Sequence, residues 1–354
     1  MREGQSYRRT KELCAFHLPL RLGTLEAGAR QRNGVSGTST VPFDYCELVF
    51  CDERNNPPTT GLVSSRHRVY WICLLIVSAL SVVLWYNHVT KLNVTIMANV
   101  GLRGYVRITS GQMDQYLDVH CKECALVSSS GQMLKAGKGK EIDELDCVIR
   151  MNNAPTVGYE HDVGSKTSLR VVSHTSVPLI LKNETYYFQQ SAGTVYVVWG
   201  PERNMRQDGK GKIFNVLLKA AKKYSHAKIY VVTREKIQYC DGLFQNETGK
   251  NRMQSGAFLS TGFFTMVLAM DMCDSIQVYG MISDDYCSQA NHTAVPYHYY
   301  ERGRMDECRM YRVHEKARRG GHRFITEKAI YGRWASHKKM QFHHPSWTAR
   351  ENVS

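Results

Sequence analysis

The sequence predicts an α/β fold of the Rossmann-like kind, in which helices flank one largely parallel sheet behind a single membrane-spanning helix. Three observations support this prediction. Short β-rich runs alternate with helical segments from residue 121 onward, which is typical of parallel strands joined by crossover helices. Polar turns follow several of these runs. Upstream, residues 69–86 contain no charged side chain.

The uncharged run at 69–86 has the length of a membrane-spanning helix, since it would extend roughly 27 Å as an α-helix. Tryptophans lie near both of its ends, where interfacial aromatic residues are common. Arg66 and Arg68 precede it, so the positive-inside rule places the N-terminal side in the cytosol. A cleaved signal peptide and a buried core helix are the alternatives. The expected organisation is a cytoplasmic tail (1–68), an anchor (69–86), a stem (87–120) and one lumenal catalytic domain (121–354).

Sequons and cysteines indicate that the chain beyond the anchor lies in the secretory lumen. Five N-glycosylation sequons occur there, at Asn93, Asn183, Asn246, Asn291 and Asn352. Seven cysteines lie on the same side, at positions 121, 124, 147, 240, 273, 287 and 308. Disulfides persist in such a compartment, and an odd number leaves one thiol unpaired or intermolecular. Cys121 and Cys124 have the spacing of a zinc or redox pair but lack a second ligand pair. A bridge from Cys287 to Cys308 would brace the loop that carries His298.

The formal net charge of +14 indicates an anionic partner. Most of the basic excess lies beyond the anchor, where a secretory-pathway domain rarely meets nucleic acid. A charged small molecule or an anionic glycan therefore fits better than DNA or RNA.

Six runs in the expected domain read as strands, at 124–128, 147–151, 169–173, 194–199, 228–233 and 275–279. Two segments read as helices, at 212–224 and 261–272. Polar turns follow four of the strands, at 128–131, 152–155, 173–176 and 200–201. Because ligands bind beyond the carboxyl ends of parallel strands, we expect these turns to converge on one crevice.

The step Ser260-Thr261-Gly262 precedes an apolar helical run and reads as a helix N-terminus. Free backbone N–H groups at such a position favour a phosphate or carboxylate, although an ordinary N-cap explains the same residues. Hydroxyls at Ser129 and Ser130 end a buried strand, and Asn152 emerges from the next one. Asn152 can offer a donor and an acceptor to a ribose or phosphate, although a plain turn is the alternative.

These residues resemble the motifs of the animal sialyltransferases, in that family's order. Residues 124–174 resemble the long sialylmotif, 256–281 the short one, 298–301 the third and 322–327 the very short one. The segments at 170–178, 247–250, 322–328 and 344–347 are most similar to the branch that adds sialic acid α2,6 to N-acetylgalactosamine. Within it, the likeness is to members that act on Neu5Acα2,3Galβ1,3GalNAc. The resemblance implies a GT-A-like variant of the fold and CMP-sialic acid as the donor.

The resemblance also implies a role for each matching position. Ser129, Ser130, Asn152, Ser260, Thr261 and Gly262 would bind the nucleotide. His322 matches the base that deprotonates the acceptor, and an imidazole suits that task because its pKa lies near ambient pH. His298 matches the residue that stabilises the leaving phosphate. Tyr299, Glu301 and Glu327 would have supporting roles, with no direct contact from Glu327 to His322 expected along a helix. Cys124 and Cys273 would form a disulfide.

Three positions depart from the family pattern. Ser129 stands where many relatives have Asn, Leu259 where they have Pro, and Phe263 where the nearest branch usually has Trp. No Asp-x-Asp motif precedes a plausible nucleotide site, since Asp284 and Asp285 are adjacent. The sequence therefore predicts catalysis without a metal or other cofactor.

The expected function is an inverting, metal-independent α2,6-sialyltransferase anchored in the Golgi membrane. Its acceptor would be the GalNAc of sialylated Galβ1,3GalNAc on glycoproteins or gangliosides, which the residues do not rank. A catalytically silent glycan-binding protein of the same fold is the alternative, which the presence of both His298 and His322 opposes. A methyltransferase is disfavoured because no glycine-rich turn follows the first strand.

Overall fold

The computed structural model describes residues 63–98, 102–108, 115–191, 193–301, 303 and 305–348. The expected tail up to residue 62 and the sequon asparagine Asn352 lie outside these residues.

One eight-stranded sheet organises the described domain. Its strands are β1 (Tyr105–Arg107), β2 (Cys121–Val127), β3 (Cys147–Met151), β4 (Leu169–Ser173), β5 (Val195–Trp199), β6 (Lys228–Val232), β7 (Cys273–Tyr279) and β8 (Met340–His343). Their order is β1-β6-β5-β4-β3-β2-β7-β8. Strand β1 pairs antiparallel with β6, and every other pairing is parallel. The predicted α/β class and all six predicted strands are confirmed.

Helices fill the connections between the strands. The long N-terminal helix is α1 (Val63–Ala98). The helices of the domain are α2 (Gly139–Glu144), α3 (Glu160–Val163), α4 (Val177–Leu181), α5 (Glu202–Met205), α6 (Lys212–Lys223), α7 (Arg234–Thr248), α8 (Arg252–Ser255), α9 (Thr261–Met272), α10 (Glu307–Lys316) and α11 (Phe324–Ala335). A π-helical turn covers Thr185–Gln190, and short 3₁₀ turns cover Leu102–Gly104, Gly131–Met133 and Tyr286–Ser288.

Alternate side chains of each central strand enter opposite layers, as the twofold repeat of a strand requires. On β5, Val195 and Val197 pack with α9, whereas Tyr196 and Val198 pack with α6 on the other face. Both sets are buried. A sheet covered on both faces explains why these strands read as continuous apolar runs.

Helix α1 contains the predicted anchor. Its segment Val69–His88 is 20 residues long, apolar and solvent-exposed along its length. Within the described chain, this is the one helix long and apolar enough to cross a membrane. At 1.5 Å per residue it would extend about 30 Å, the thickness of a bilayer core.

The sheet begins earlier than the expected boundary at residue 121. Strand β1 lies inside the segment expected to be a stem, 87–120, and it covers the edge of β6. Tyr105 is buried, and its hydroxyl donates to Asp271 on α9 at 3.3 Å. This strand could not be predicted from the sequence, because three residues are too few to show a periodicity. Part of the segment expected to be a stem therefore pairs with the sheet.

Three disulfides cross-link the described domain. The bridge from Cys124 to Cys273, implied by the resemblance, joins β2 to the start of β7. The proposed bridge from Cys287 to Cys308 is also present. The third, Cys121 to Cys147, ties β2 to β3 and was not foreseen. Cys240 is the buried free thiol that the odd count predicted.

The strand order fixes where a ligand can bind. From β2 the chain runs outward through β3, β4, β5 and β6, and then returns to β7 on the other side of β2. The order therefore reverses between β2 and β7. In open α/β sheets the crevice at such a point, beyond the carboxyl ends of the strands, is the usual ligand site.

Loss of the Cys124–Cys273 bridge should destabilise the domain more than loss of Cys287–Cys308. The first closes a loop of 149 residues and the second one of 21. In the chain-entropy model these contribute about 5 and about 3 kcal/mol. Urea unfolding of the two double Cys→Ala variants measures the difference. Equal losses, or a larger loss for the short loop, would contradict the prediction.

Candidate active site

An open cavity of about 1680 Å³ lies at the carboxyl ends of the strands. Residues from all four predicted polar turns line it. Nine of the predicted site residues line it as well: Ser129, Ser130, Asn152, Ser260, Thr261, Gly262, His298, His322 and Glu327. Tyr299 and Glu301 are outside the lining and contact residues within it.

The turn after β2 is held by its own hydroxyls. Ser128 Oγ accepts from Ser130 N at 3.2 Å, and Ser130 Oγ accepts from Gln132 N at 3.0 Å. Gly131 N donates to Pro296 O at 3.0 Å, and a Cβ on Gly131 would lie 2.3 Å from that oxygen. Only glycine permits this approach, which fixes the turn against the segment that leads to His298.

Asn152 has a left-handed backbone, with φ of 48°. Its Oδ1 accepts from Ser173 N at 3.0 Å, and its carbonyl accepts from Arg170 Nη1 at 2.9 Å. Asparagine tolerates this conformation better than most residues. Since Oδ1 is used within the protein, the Nδ2 donors are what the side chain can offer to a ligand.

Ser260 is the N-cap of α9. Its Oγ accepts from Phe263 N at 3.1 Å. Its N–H donates to Glu327 Oε1 at 2.9 Å, and its hydroxyl donates to Glu327 Oε2. Thr261 Oγ1 accepts from Trp199 Nε1 at 3.3 Å. Both hydroxyls are thus engaged inside the protein, and Phe263 N is bound to Ser260, so the backbone N–H groups of Thr261 and Gly262 are the ones left to favour an anion.

Glu327 is a buried carboxylate with an altered titration. It is 2% exposed, and burial raises its pKa to about 7, against the opposing effect of the hydrogen bonds from Ser260. The hydrogen bonds of Glu327 join it to Ser260 and Tyr331 rather than to His322, and the supporting role expected for it stays a prediction. Its partner is Ser260, 67 positions away in sequence.

A second buried carboxylate, Glu307, lies behind the part of the cavity wall that the turn after β2 forms. It accepts from Gln132 Nε2 at 3.0 Å and from Tyr311 OH at 2.7 Å. Lys328 is buried as well, with Nζ 3.9 Å from the Tyr311 ring centroid. Burial lowers the pKa of Lys328, and the charges of Glu307 and Glu327 oppose that shift. Sequence reasoning missed Glu307 and Lys328, because charged residues on amphipathic helices usually face solvent.

The half-buried His322 has a defined tautomer. Its Nδ1 lies 3.0 Å from the carbonyl oxygen of Phe258. A carbonyl can only accept, so Nδ1 carries the proton and the Nε2 lone pair is available. Burial lowers the pKa of His322, and the Phe258 carbonyl partly offsets this effect. Neutral imidazole is therefore the form that dominates near pH 7.

His298 lies between aromatic rings and beside a carboxylate. Its Nδ1 is 3.1 Å from Glu301 Oε2, and its ring stacks on Tyr300 with an interplanar angle of 9°. Glu301 thus contacts a residue that lines the cavity without lining it itself. Tyr299 is buried in the core, where its N–H donates to Ser129 O at 2.9 Å and its hydroxyl donates to Pro155 O. Tyr299 therefore ties the turns after β2 and β3 together.

No group of three or more His, Cys, Asp or Glu side chains is arranged to hold a metal ion in the part of the chain that the structure describes. The polar groups that line the cavity include hydroxyls, amides, three histidines, several arginines and carboxylates, and Lys328.

The fold and the cavity define a class, an α/β protein whose crevice brings a helix N-terminus and a neutral histidine into one lining. Residues 84–339 match the family model "Glycosyltransferase family 29 (sialyltransferase)". The chain belongs to this family.

Two curated relatives share more than half of their aligned residues with the chain. It is 54% identical over 245 residues to the rat "Alpha-N-acetylgalactosaminide alpha-2,6-sialyltransferase 3", covering 69% of this chain and 79% of the relative. It is 56% identical over 227 residues to the human "Alpha-N-acetyl-neuraminyl-2,3-beta-galactosyl-1,3-N-acetyl-galactosaminide alpha-2,6-sialyltransferase", covering 64% and 75%. A crystal structure of a mammalian sialyltransferase matches with 23% identity and a TM-score of 0.43, covering 65% and 70% of the two chains.

Replacement of Glu327 by Gln should flatten the pH dependence of stability. The folded chain holds the Glu327 proton more tightly than an unfolded chain, whose pKa is near 4.5. The contribution of Glu327 to the free energy of unfolding therefore falls as pH rises from about 4.5 to about 7, by roughly 2 to 3 kcal/mol. Urea unfolding at pH 5 and pH 7 should show this fall in the wild type and less of it in Glu327→Gln. The exposed Glu144→Gln should follow the wild type; a Glu327→Gln variant that does so too would refute the assignment.

Proposed function

We propose that the chain transfers sialic acid from CMP-sialic acid to the GalNAc of sialylated Galβ1,3GalNAc, in α2,6 linkage and with inversion. Family membership and the names of the two relatives support this substrate pair. The observation that carries the proposal is His322, a neutral imidazole in the cavity lining whose Nδ1 proton is held by the Phe258 carbonyl, so that Nε2 is the basic nitrogen.

The donor would lie between the turn after β2 and the N-terminus of α9. The N–H groups of Thr261 and Gly262 favour the nucleotide phosphate, because they have no partner within the helix and carry the positive end of its dipole. Ser130 and the Nδ2 group of Asn152 lie on the opposite side, where they would contact the ribose or phosphate. Ser129 lines the same side, and because its carbonyl already accepts from Tyr299, its hydroxyl would be the group that contacts the nucleotide.

The chemical step needs one base and one group for the leaving phosphate. His322 Nε2 would take the proton from the 6-hydroxyl of GalNAc as that oxygen bonds to the anomeric carbon of sialic acid. The bond from that carbon to the CMP phosphate oxygen breaks on the opposite face, which inverts the configuration. His298 would donate a hydrogen bond to the departing phosphate, with Glu301 orienting its ring. This role for His298 is the basis for proposing that no metal is required.

The exposed sequons support a lumenal domain behind a type II Golgi anchor. Asn183, Asn246 and Asn291 are all solvent-exposed, so each is accessible for glycosylation. Asn93 lies in α1, five residues past the apolar segment. Three disulfides agree with an oxidising compartment.

Purified full-length protein should transfer sialic acid from CMP-sialic acid to sialylated Galβ1,3GalNAc in the presence of EDTA. Linkage analysis of the product should place the new sialic acid on O6 of GalNAc. Glycoprotein and ganglioside acceptors compared in competition identify the preferred carrier. Binding of CMP and acceptor without any transfer would instead support the silent glycan-binding alternative, and loss of transfer on EDTA treatment would refute metal independence.

His322→Ala should lower kcat by about 10² to 10⁴ while CMP affinity stays near the wild-type value, because the variant lacks only the base. In the wild type, activity should persist below the usual histidine pKa before it falls, since burial lowers the pKa of His322. The exposed His337→Ala, just past α11, is the matched control and should be fully active. Full activity in His322→Ala would exclude His322 as the base.

A further inference from the structure

A second histidine, His314, lies directly behind His322. The backbone N–H of His322 donates to His314 Nδ1 at 3.3 Å. The two rings are parallel within 6°, with centroids 5.4 Å apart. His314 is on the last turn of α10 and does not line the cavity. It therefore contacts the proposed base without being placed to contact a substrate.

Several contacts fix His314 in this position. Arg323 Nη1 donates to the His314 carbonyl at 2.9 Å, and Nη2 donates to Ala317 O at 2.8 Å. The Phe324 ring packs 5.2 Å from the imidazole. A Cβ on Gly321 would lie 2.4 Å from His314 O, so only glycine lets the chain pass so close. These hydrogen bonds and close contacts thus hold the loop that carries His322 against the C-terminal end of α10.

The hydrogen bond defines the protonation state of His314. Its Nδ1 accepts an N–H, so this nitrogen is unprotonated and the proton of the neutral ring lies on Nε2. Protonation of Nδ1 would remove the acceptor for His322 N–H. It would also place a cation face to face with an imidazole that must itself gain a proton during transfer.

The charged groups around His314 are few. From the loop and the start of α11 they are His322 and Arg323, whose guanidinium is already bound to two carbonyls. On α10 itself, the neighbouring Glu315 accepts from Ile325 N at 2.9 Å and from the Thr326 hydroxyl. Burial lowers the pKa of His314. His314 is therefore neutral near pH 7, and no described carboxylate is bonded to its ring to favour the charged form.

We propose that His314 is a positioning residue for the transfer step: as a neutral acceptor it fixes the backbone of His322, and by remaining uncharged it allows His322 to take the acceptor proton. The proposal rests on the proposed function, in which His322 is the base. It predicts that activity requires both His314 and His322 to be neutral. Activity should therefore fall with two protonation steps as the pH is lowered.

Two variants separate the hydrogen bond from the charge. Asparagine can place Oδ1 where His314 has Nδ1 and does not titrate, whereas phenylalanine keeps the ring and loses the acceptor. In the full-length protein, His314→Phe should lower kcat about tenfold or more, and His314→Asn should recover most of that loss at pH 7. CMP affinity should be unchanged in both, which also reports correct folding. A His314→Phe variant with wild-type kcat would overturn the positioning role.

The slope of the acidic limb tests the charge. Log(kcat/KM) against pH should approach a slope of two in the wild type and of one in His314→Asn. The matched control is His343→Asn, which changes a half-buried histidine on β8 whose pKa burial also lowers; it should keep the slope of two. Equal slopes in the wild type and His314→Asn would overturn the role of the charge.

Histidine-selective ¹⁵N NMR of the wild type gives a readout that does not depend on transfer. Near pH 7 it should show His314 protonated on Nε2 and His322 on Nδ1. Observing these tautomers in a protein that transfers no sialic acid would reject the proposed function and retain the contact. The opposite tautomer at His314 would reject the inference whatever the activity.

Discussion

The site depends on one buried contact, the carboxylate of Glu327 bound to the N–H and hydroxyl of Ser260. This contact holds the N-terminus of α9 against α11, the helix that begins two residues after His322. The N–H groups proposed to bind the donor phosphate and the segment that carries the proposed base are thereby held in place by the same carboxylate. An unpartnered buried carboxylate would cost several kcal/mol, so the arrangement is stable only while Ser260 and Tyr331 donate to it.

A second buried carboxylate supports the part of the cavity formed by the turn after β2. Glu307 receives Gln132 from the turn after β2, and buried Lys328 interacts with both carboxylates. Glu327 and Lys328 line the cavity that is proposed to receive an anionic donor, and Glu307 packs behind them. The effective dielectric around these buried groups is low, because little water screens their charges, and their mutual attraction is therefore stronger than at the surface. Side chains that are already held by hydrogen bonds within the protein need to reorganise less when a substrate binds.

The sheet was predictable because its central strands are buried on both faces and read as apolar runs. Strands β1 and β8 were not predicted, since short edge strands gain their pairing from tertiary contacts and show little pattern of their own. The motif residues of the site were found by type and order. Their partners were not: Ser260 with Glu327, and Gln132 with Glu307, join positions 67 and 175 residues apart. The pattern predicted a helix N-terminus at Ser260 and Thr261, and it could not show that both hydroxyl oxygens accept hydrogen bonds from within the protein.

A crystal structure of the protein with CMP and the sialylated Galβ1,3GalNAc acceptor would test the central claim most directly. We expect the CMP phosphate at the N–H groups of Thr261 and Gly262, with O6 of GalNAc about 2.6 to 3.2 Å from His322 Nε2. A phosphate bound elsewhere in the cavity, or an acceptor hydroxyl beyond reach of His322 and next to a different base, would contradict it.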